Sequence, residues 1–237
     1  MLHAIGLQNP GAECLIKNYL SLLKEYEVPF IANIAGETLE EYALLAEKLS
    51  NSEGVAGLEV NISCPNIKKG GIHFGTDPEM AAEVVDKVKA NADLPVIVKL
   101  SPNVTSITEI AKAVEQAGAD ALSLITTLLG MSIDVTRQNP FLGSVTGGLS
   151  GPAIRPVAVR AVWQVFKAVK LPILGMGGIA TANDAPEVIL AGARAVAVGT
   201  ANFINPRATV EVIKGIERHL IENKINDINE LVGAAHY

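Results

Sequence analysis

Residues 61–66 read NISCPN and place one thiol, Cys64, between the carboxamides of Asn61 and Asn66. A deprotonated thiol can serve as a base or a nucleophile, and a carboxamide donates and accepts hydrogen bonds at once. The hexapeptide follows an alternating apolar run and precedes a glycine-rich stretch, which is typical of the end of a strand. Because a free cysteine is more often an inert buried residue than a reagent, both interpretations of Cys64 stay open at this point.

A lysine inside an apolar segment is the second candidate for chemistry. Lys99 lies in VIVKL, where every other residue is apolar. An unpaired ammonium would be costly to bury there, so a buried Lys99 needs an anionic partner. The alternative is a lysine that reaches solvent from the end of a strand.

Two glycine-containing strings, GMGG at 175–178 and Gly199-Thr200, follow later apolar segments. Glycine lets a backbone approach a ligand closely, and barrels frequently hold a phosphate at the ends of their last strands. A barrel that binds a phosphosugar would use the same glycines. The strings therefore indicate a phosphate site without identifying the ligand.

The elements that must position these residues are six short β-rich segments separated by amphipathic stretches. The segments lie at 29–36, 57–64, 95–102, 121–128, 172–179 and 195–202. The alternation predicts parallel βα units with right-handed crossovers. Polar or glycine residues end nearly every segment, which favours a barrel with one functional face over an open doubly wound sheet. The period of two within 57–64 puts Glu59, Asn61 and Ser63 on one face, which we expect to point inward toward a site.

The predicted fold is a TIM (β/α)8 barrel that forms a single domain over 1–237 and lacks its first two strands. Closure needs eight strands, whereas the stretch from Ala4 to Gly11 already resembles a loop that leads into a helix. Six strands would leave two unpaired edges. We therefore expect this chain to bind a barrel cofactor more weakly than a closed barrel would.

Five strings in order resemble the catalytic subunits of the NAD-linked dihydroorotate dehydrogenase family. They are N-I-S-C-P-N, V-K-L-S-P-N, T-G-G-L-S-G-P-A, G-M-G-G and V-G-T-A-N-F. Each string is weak evidence alone, but the order makes the resemblance specific, and it runs from about Ala4 to the last helices. It implies an FMN-dependent oxidation of dihydroorotate to orotate in de novo pyrimidine synthesis.

The resemblance also implies a role for each matching residue. Cys64 would be the general base that removes the C5 proton while hydride leaves C6 for the flavin. Lys99 would stabilise the negative charge that gathers at the N1 and O2 edge of the flavin on reduction. The implied FMN contacts are Asn33, Asn61, Lys99, Ile125, Gly151, Gly177, Gly178, Gly199 and Thr200. The implied substrate contacts are His3, Ala4, Ile5, Gly6, Leu7, Asn61, Asn66, Thr126 and Thr127.

Two positions depart from the family pattern. His3 stands where the family has Asn before Ala-Ile-Gly-Leu, and Thr126 stands where it has Asn before Thr127. Each exchange removes a carboxamide, so we expect weaker orotate binding than with Asn. A related FMN barrel that acts on another dihydropyrimidine, and a non-catalytic remnant, stay open as alternatives. A start assigned at an interior methionine, Met1, would explain the expected lack of two strands without loss of function.

Partners and location follow from the resemblance and from composition. The family implies a homodimer that passes electrons to NAD through a separate FAD and iron-sulfur subunit, since two cysteines here are too few to hold a cluster. A net charge of -6 and a pI near 5.3, without a basic run, favour neither nucleic acid nor a membrane as partner. No metal is expected, because Cys14, His73, His219 and His236 show no ligand spacing. Free thiols and the lack of a secretory or membrane-spanning stretch predict the cytoplasm.

Overall fold

The computed structural model describes residues 1–63 and 71–236. The fold is organised around a six-stranded parallel sheet. Its strands in chain order are β1 (Leu2–His3), β2 (Phe30–Ile34), β3 (Val55–Asn61), β4 (Val96–Leu100), β5 (Ala121–Leu124), β6 (Leu128–Met131), β7 (Ile133–Asp134), β8 (Asn139–Pro140), β9 (Thr146–Leu149), β10 (Ile173–Met176) and β11 (Ala195–Ala197). Six of them form the main sheet in the order β11-β10-β5-β4-β3-β2. All six predicted strands are thus confirmed, and each ends before its predicted limit, where the βα loop begins.

Helices connect the parallel strands. In chain order they are α1 (Ala12–Cys14), a π-helical turn (Leu15–Tyr19), α2 (Leu20–Lys24), α3 (Leu39–Ser50), α4 (Gly71–Thr76), α5 (Pro78–Lys89), α6 (Ile107–Gln116), a 3-10 turn (Pro152–Ile154), α7 (Arg155–Ala168), α8 (Asp184–Leu190), α9 (Ala201–Ile204), α10 (Ala208–Asn223) and a 3-10 turn (Ile228–Leu231). Local sequence explains where the long ones begin. Thr38 caps α3 by accepting a hydrogen bond from the backbone of Glu41, and Asp77 caps α5 ahead of Pro78 at its first turn.

The apolar core lies between one face of the sheet and the helices. In β3, Leu58 and Val60 are fully buried, and the alternate residues Glu59 and Asn61 turn to the other face. Helix α5 contributes apolar residues at three- and four-residue spacing, namely Ala81, Val84, Val85 and Val88. Burying a valine or leucine side chain is worth about 1.5–3 kcal/mol. This packing holds the strands so that the polar face of β3 points away from the helices, as predicted.

The parallel sheet has two open edges within the described residues. Six strands are two fewer than the eight of a closed barrel, and β2 and β11 form its edges. In β2, Ala32 and Ile34 are buried while Ile31 on the opposite face remains 44% exposed. The sheet is therefore the six-stranded part of a TIM barrel, as the sequence predicted.

Two small antiparallel sheets were not foreseen. Strand β9 pairs with both β1 and β6, and β7 pairs with β8. Apart from the N-terminal β1, their strands lie between β5 and α7, where sequence patterns predicted no strands beyond residue 128. Through β9, this segment brings the N-terminal residues to the carboxyl end of the parallel sheet.

Among residues 1–63 and 71–236, none of the helices has the length and apolar character needed to cross a membrane.

Candidate active site

A cavity of about 560 Å³ opens at the carboxyl ends of the parallel strands. This volume lies in the range of sites that take a drug-sized ligand or cofactor. Residues from the sheet and from the loops after β5, β9, β10 and β11 line it, including Glu59, Lys99, Ile125, Thr126, Thr127, Ser150, Gly151, Met176, Gly177, Gly178, Gly199 and Thr200. Seven of the nine predicted cofactor residues and two of the predicted substrate residues therefore share one cavity.

Glycines of the loops after β10 and β11 line this cavity. Gly177 and Gly178 have φ values of 120° and 78°, a region that other residues rarely adopt. A Cβ at Gly178 would lie 2.7–3.0 Å from backbone and Cβ atoms of Arg155. A Cβ at Gly199 would meet no heavy atom within 4 Å. The space beside Gly199 thus belongs to the cavity, and the loops have the close-approach backbone that a phosphate site needs.

Lys99 and Glu59 form an ion pair inside the cavity. The Lys99 Nζ atom lies 3.5 Å from Glu59 Oε2, and the side chains are 20% and 13% exposed. The carboxylate of Glu59 is therefore the anion that a buried Lys99 was predicted to need. Sequence patterns had placed Glu59 on the inward face but had not paired it with Lys99.

A chain of hydrogen bonds links the cavity to the carboxamides predicted to bind the cofactor. Asn33 Nδ2 donates to Glu59 Oε2 at 2.5 Å, and Asn61 Nδ2 donates to Asn33 Oδ1 at 3.4 Å. Asn61 is 5% exposed, and its Oδ1 accepts from the backbone N–H and the hydroxyl of Ser63. The end of β3 is therefore held by polar contacts immediately before Cys64.

Cys64 and Asn66, the predicted base and one predicted substrate contact, lie outside the described residues. The structure describes the chain as far as Ser63 on one side, where the hydroxyl is buried.

The predicted substrate residues near the N-terminus are divided between two places. His3 pairs with Gly148 in the β1–β9 ladder, and a Cβ at Gly148 would lie 2.4 Å from Thr127 Oγ1. The N-terminal strand and Thr127 therefore meet at Gly148. After Ala4 and Ile5, which lie outside the strands, Gly6 and Leu7 line a second cavity of about 840 Å³ beside β2 together with Asn33.

Asp184 fixes the loop that follows the glycines. Its Oδ2 accepts from the backbone N–H groups of Ala180 and Thr181 at 2.9 and 2.7 Å, and its Oδ1 pairs with Arg155. Burial raises the pKa of this carboxyl, but these backbone donors and the Arg155 guanidinium outweigh burial and hold the pKa below its ordinary value. Asp184 therefore fastens the β10–α8 loop to the start of α7.

Replacing Asp184 by asparagine is expected to lower the free energy of unfolding at neutral pH by about 1–3 kcal/mol, because hydrogen bonds to a buried carboxylate are lost. The folded pKa lies below the unfolded one, so this stability is present above the unfolded pKa and is lost as pH falls through the folded pKa. Asp184→Asn should therefore lose less stability on acidification than the parent. Urea unfolding from neutral pH to below about pH 4 checks this. Asp86→Asn, at an exposed position of α5, is the control, and an unchanged acid dependence in Asp184→Asn would contradict the assignment.

Comparison with known proteins identifies the family of this chain. The family model described as dihydroorotate dehydrogenase matches residues 1–220. The chain belongs to the dihydroorotate dehydrogenase family. The match covers every strand of the parallel sheet and all of the cavity residues named above.

Relatives of the dihydroorotate dehydrogenase family align over nearly the whole chain. A protein of Desulforamulus reducens named "Dihydroorotate dehydrogenase B (NAD(+)), catalytic subunit" is 62% identical over 236 residues, which are 100% of this chain and 78% of that protein. Proteins with the same name are 63% identical in Desulforudis audaxviator and 58% identical in Geotalea uraniireducens, over 100% and 99% of this chain and 77% of each relative. The chain thus spans somewhat more than three quarters of these relatives.

Sequence reasoning missed Asp184 and Ser150 at this dihydroorotate dehydrogenase site, and it placed Glu59 on the inward face without its partner. Glu59 and Asp184 are acidic residues whose partners come from distant parts of the chain. Ser150 accepts a hydrogen bond at its hydroxyl from Thr200 Oγ1 at 2.8 Å and accepts one at its carbonyl from the N-terminal amine. Period-two alternation placed Glu59 on the inward face, and Ser150 lies within the string TGGLSGPA, but neither pattern shows which residues they contact.

Proposed function

We propose that this chain is the catalytic subunit of a dihydroorotate dehydrogenase that uses FMN and oxidises (S)-dihydroorotate to orotate in pyrimidine synthesis. The observation that carries the proposal is that one cavity at the strand ends is lined both by the glycines of two βα loops and by a lysine. An FMN molecule has a phosphate at one end and, when bound, a ring that accepts hydride and gains negative charge. The cavity lining contains groups that match both parts.

The residues present fit that cofactor. The phosphate would be held by the backbone of Gly177, Gly178 and Gly199 and by the Thr200 hydroxyl. The space beside Gly199 is open to a ligand, because a Cβ there would meet no protein atom within 4 Å. Lys99 would face the ring edge as an electrostatic donor. Ile125 and Gly151, which also line the cavity, would flank the ring.

The chemistry that we assign to this chain is proton removal and charge stabilisation. The Cys64 thiolate takes the proton from C5 of dihydroorotate at Sγ. FMN bound in this cavity would supply the acceptor for the hydride from C6, so that the substrate would lose one proton and one hydride overall and become orotate. Asn61, held by Ser63, and Thr126 and Thr127 at the cavity supply hydrogen-bonding groups for the substrate ring.

A partner must remove the electrons. The name "catalytic subunit" of the relatives implies a further subunit, and we propose that it carries FAD and an iron-sulfur cluster and delivers the electrons to NAD. We also propose that the catalytic chains form a homodimer and act in the cytoplasm. Both statements rest on the family.

Substrate turnover tests the assignment against the alternatives. Flavin absorbance should bleach when the FMN-loaded protein is mixed anaerobically with dihydroorotate, and not with dihydrouracil. The name shared by the relatives favours dihydroorotate over another dihydropyrimidine. Bleaching by dihydrouracil alone would support the second substrate, and no bleaching by either would support a non-catalytic role.

Gly199→Ala is expected to weaken FMN binding at least about tenfold, or about 1.4 kcal/mol, because the methyl group would occupy cavity space. The thermal midpoint without FMN should not fall, since the methyl meets no protein atom within 4 Å. Fluorescence titration of FMN measures the dissociation constant. Gly143→Ala is the matched control, because a Cβ there also meets nothing within 4 Å but Gly143 lies outside the cavity. Equal FMN affinity for Gly199→Ala and the parent would show that the phosphate does not bind beside Gly199.

A further inference from the structure

We propose that Glu59 is a positioning residue that holds the Lys99 ammonium and, through its own charge, limits how far Lys99 raises the midpoint potential of the bound flavin. The inference rests on the function proposed above. It adds a second, opposing charge to a site in which the lysine alone was expected to act.

The contacts of Glu59 are those of a fixed group and not of a chance neighbour. Its Oε1 accepts a hydrogen bond from Ser123 Oγ at 2.6 Å, and its Oε2 accepts from Asn33 Nδ2 at 2.5 Å and lies 3.5 Å from Lys99 Nζ. These three partners come from β5, β2 and β4. Neighbouring strands on both sides of β3 therefore fix one carboxylate.

The distance between Lys99 and Glu59 leaves the Lys99 ammonium able to donate a hydrogen bond to a ligand in the cavity. A direct charged hydrogen bond is about 2.7–2.9 Å long, so contact at 3.5 Å compensates the charge without fully engaging the donor. Within the part of the chain that the structure describes, Glu59 is the one carboxylate in ion-pair range of Lys99. Both residues line the same cavity.

Because the Lys99–Glu59 pair is largely buried, its net charge affects the electrostatic potential in the cavity. With side chains only 20% and 13% exposed, the two charges are weakly screened by water. The pair presents a dipole with net charge near zero, whereas either residue alone would present a full unit of charge. Removing the carboxylate should therefore favour the more negative, reduced flavin, and removing the ammonium should disfavour it.

The midpoint potential of the flavin tests this inference by its sign. We expect Glu59→Gln, which keeps a hydrogen-bonding carboxamide, to shift the equilibrium toward reduced FMN at least about tenfold, or about 30 mV upward for a two-electron couple. Lys99→Met should shift it at least as far downward. Glu59→Asp keeps the charge and should return the potential toward that of the parent. Glu109→Gln, exposed on α6, is the control and should leave the potential unchanged.

Redox titration against indicator dyes at saturating FMN gives these values without any turnover. An unchanged or lowered potential in Glu59→Gln, beside a lowered one in Lys99→Met, would overturn the inference and leave the proposed function standing. No shift in Lys99→Met would place the flavin away from this pair and would overturn both. Equal upward shifts in Glu59→Gln and Glu59→Asp would also overturn the inference, because geometry and not charge would then control the potential.

Discussion

Cys64→Ala is expected to leave the absorbance spectrum of bound FMN intact while slowing flavin reduction by dihydroorotate at least about 100-fold. A positioned general base typically contributes about 10²–10⁴-fold, and Cys64 is the thiol that directly follows the buried Ser63 at the carboxyl end of β3. Anaerobic stopped-flow mixing of the FMN-loaded protein with dihydroorotate measures the rate. Because an ordinary thiol titrates near about pH 8.5, the parent rate should rise with pH toward that value and then level.

The second cysteine provides the control for this prediction. Cys14 lies in α1 and accepts a hydrogen bond from Asn18, and neither of the two cavities contains it. Cys14→Ala should therefore reduce its flavin at the parent rate. Rapid, pH-independent flavin reduction in Cys64→Ala would remove the base assignment.

Lys99→Met is expected to slow flavin reduction by dihydroorotate about 100-fold or more, which is the loss typical for one preorganised donor aimed at a developing charge. The substitution leaves Glu59 unpaired inside the cavity, so the carboxylate opposes the charge that the cofactor gains. The same stopped-flow experiment gives the rate constant at saturating dihydroorotate. The apolar stem of methionine keeps most of the packing of the lysine side chain.

An exposed lysine separates this effect from a general change in charge. Lys112 lies on the exposed face of α6, so Lys112→Met should keep the parent rate. A rate within a few-fold of the parent in Lys99→Met would mean that Lys99 does not face the reacting ring.

Much of the fold could be predicted because hydrophobic periodicity is a local property. The alternation in 57–64 predicted both β3 and the inward face that carries Glu59, and the three- and four-residue spacing after Pro78 predicted α5. The antiparallel pairing of β9 with β1 and β6 could not be predicted. Its strands are two to four residues long, and β1 and β9 are more than a hundred residues apart along the chain.

The histidine near the C-terminus shows the same limit. His236 lies in an irregular, half-buried segment near the C-terminus, where its ring stacks on Trp163 with a centroid distance of 3.6 Å and packs near Phe166. Trp163 and Phe166 both lie on α7 and pack against the core. Their helical spacing was visible in the sequence, whereas the aromatic partner came from a distant segment.

The sequence by itself determined the strand order, the family and the residue types of the site, because these depend on local periodicity and on motifs that each lie within a few residues. Only the tertiary structure decided which charges meet. Lys99 required an anion on physical grounds, but Glu59 could be recognised as that anion only when β3 and β4 lay side by side. Likewise Asp184 and Arg155 are 29 positions apart and meet because α7 and α8 pack beside β10. Coulombic and hydrogen-bond energies depend on separations of a few ångströms in space, and the spacing of residues along a chain does not contain that information.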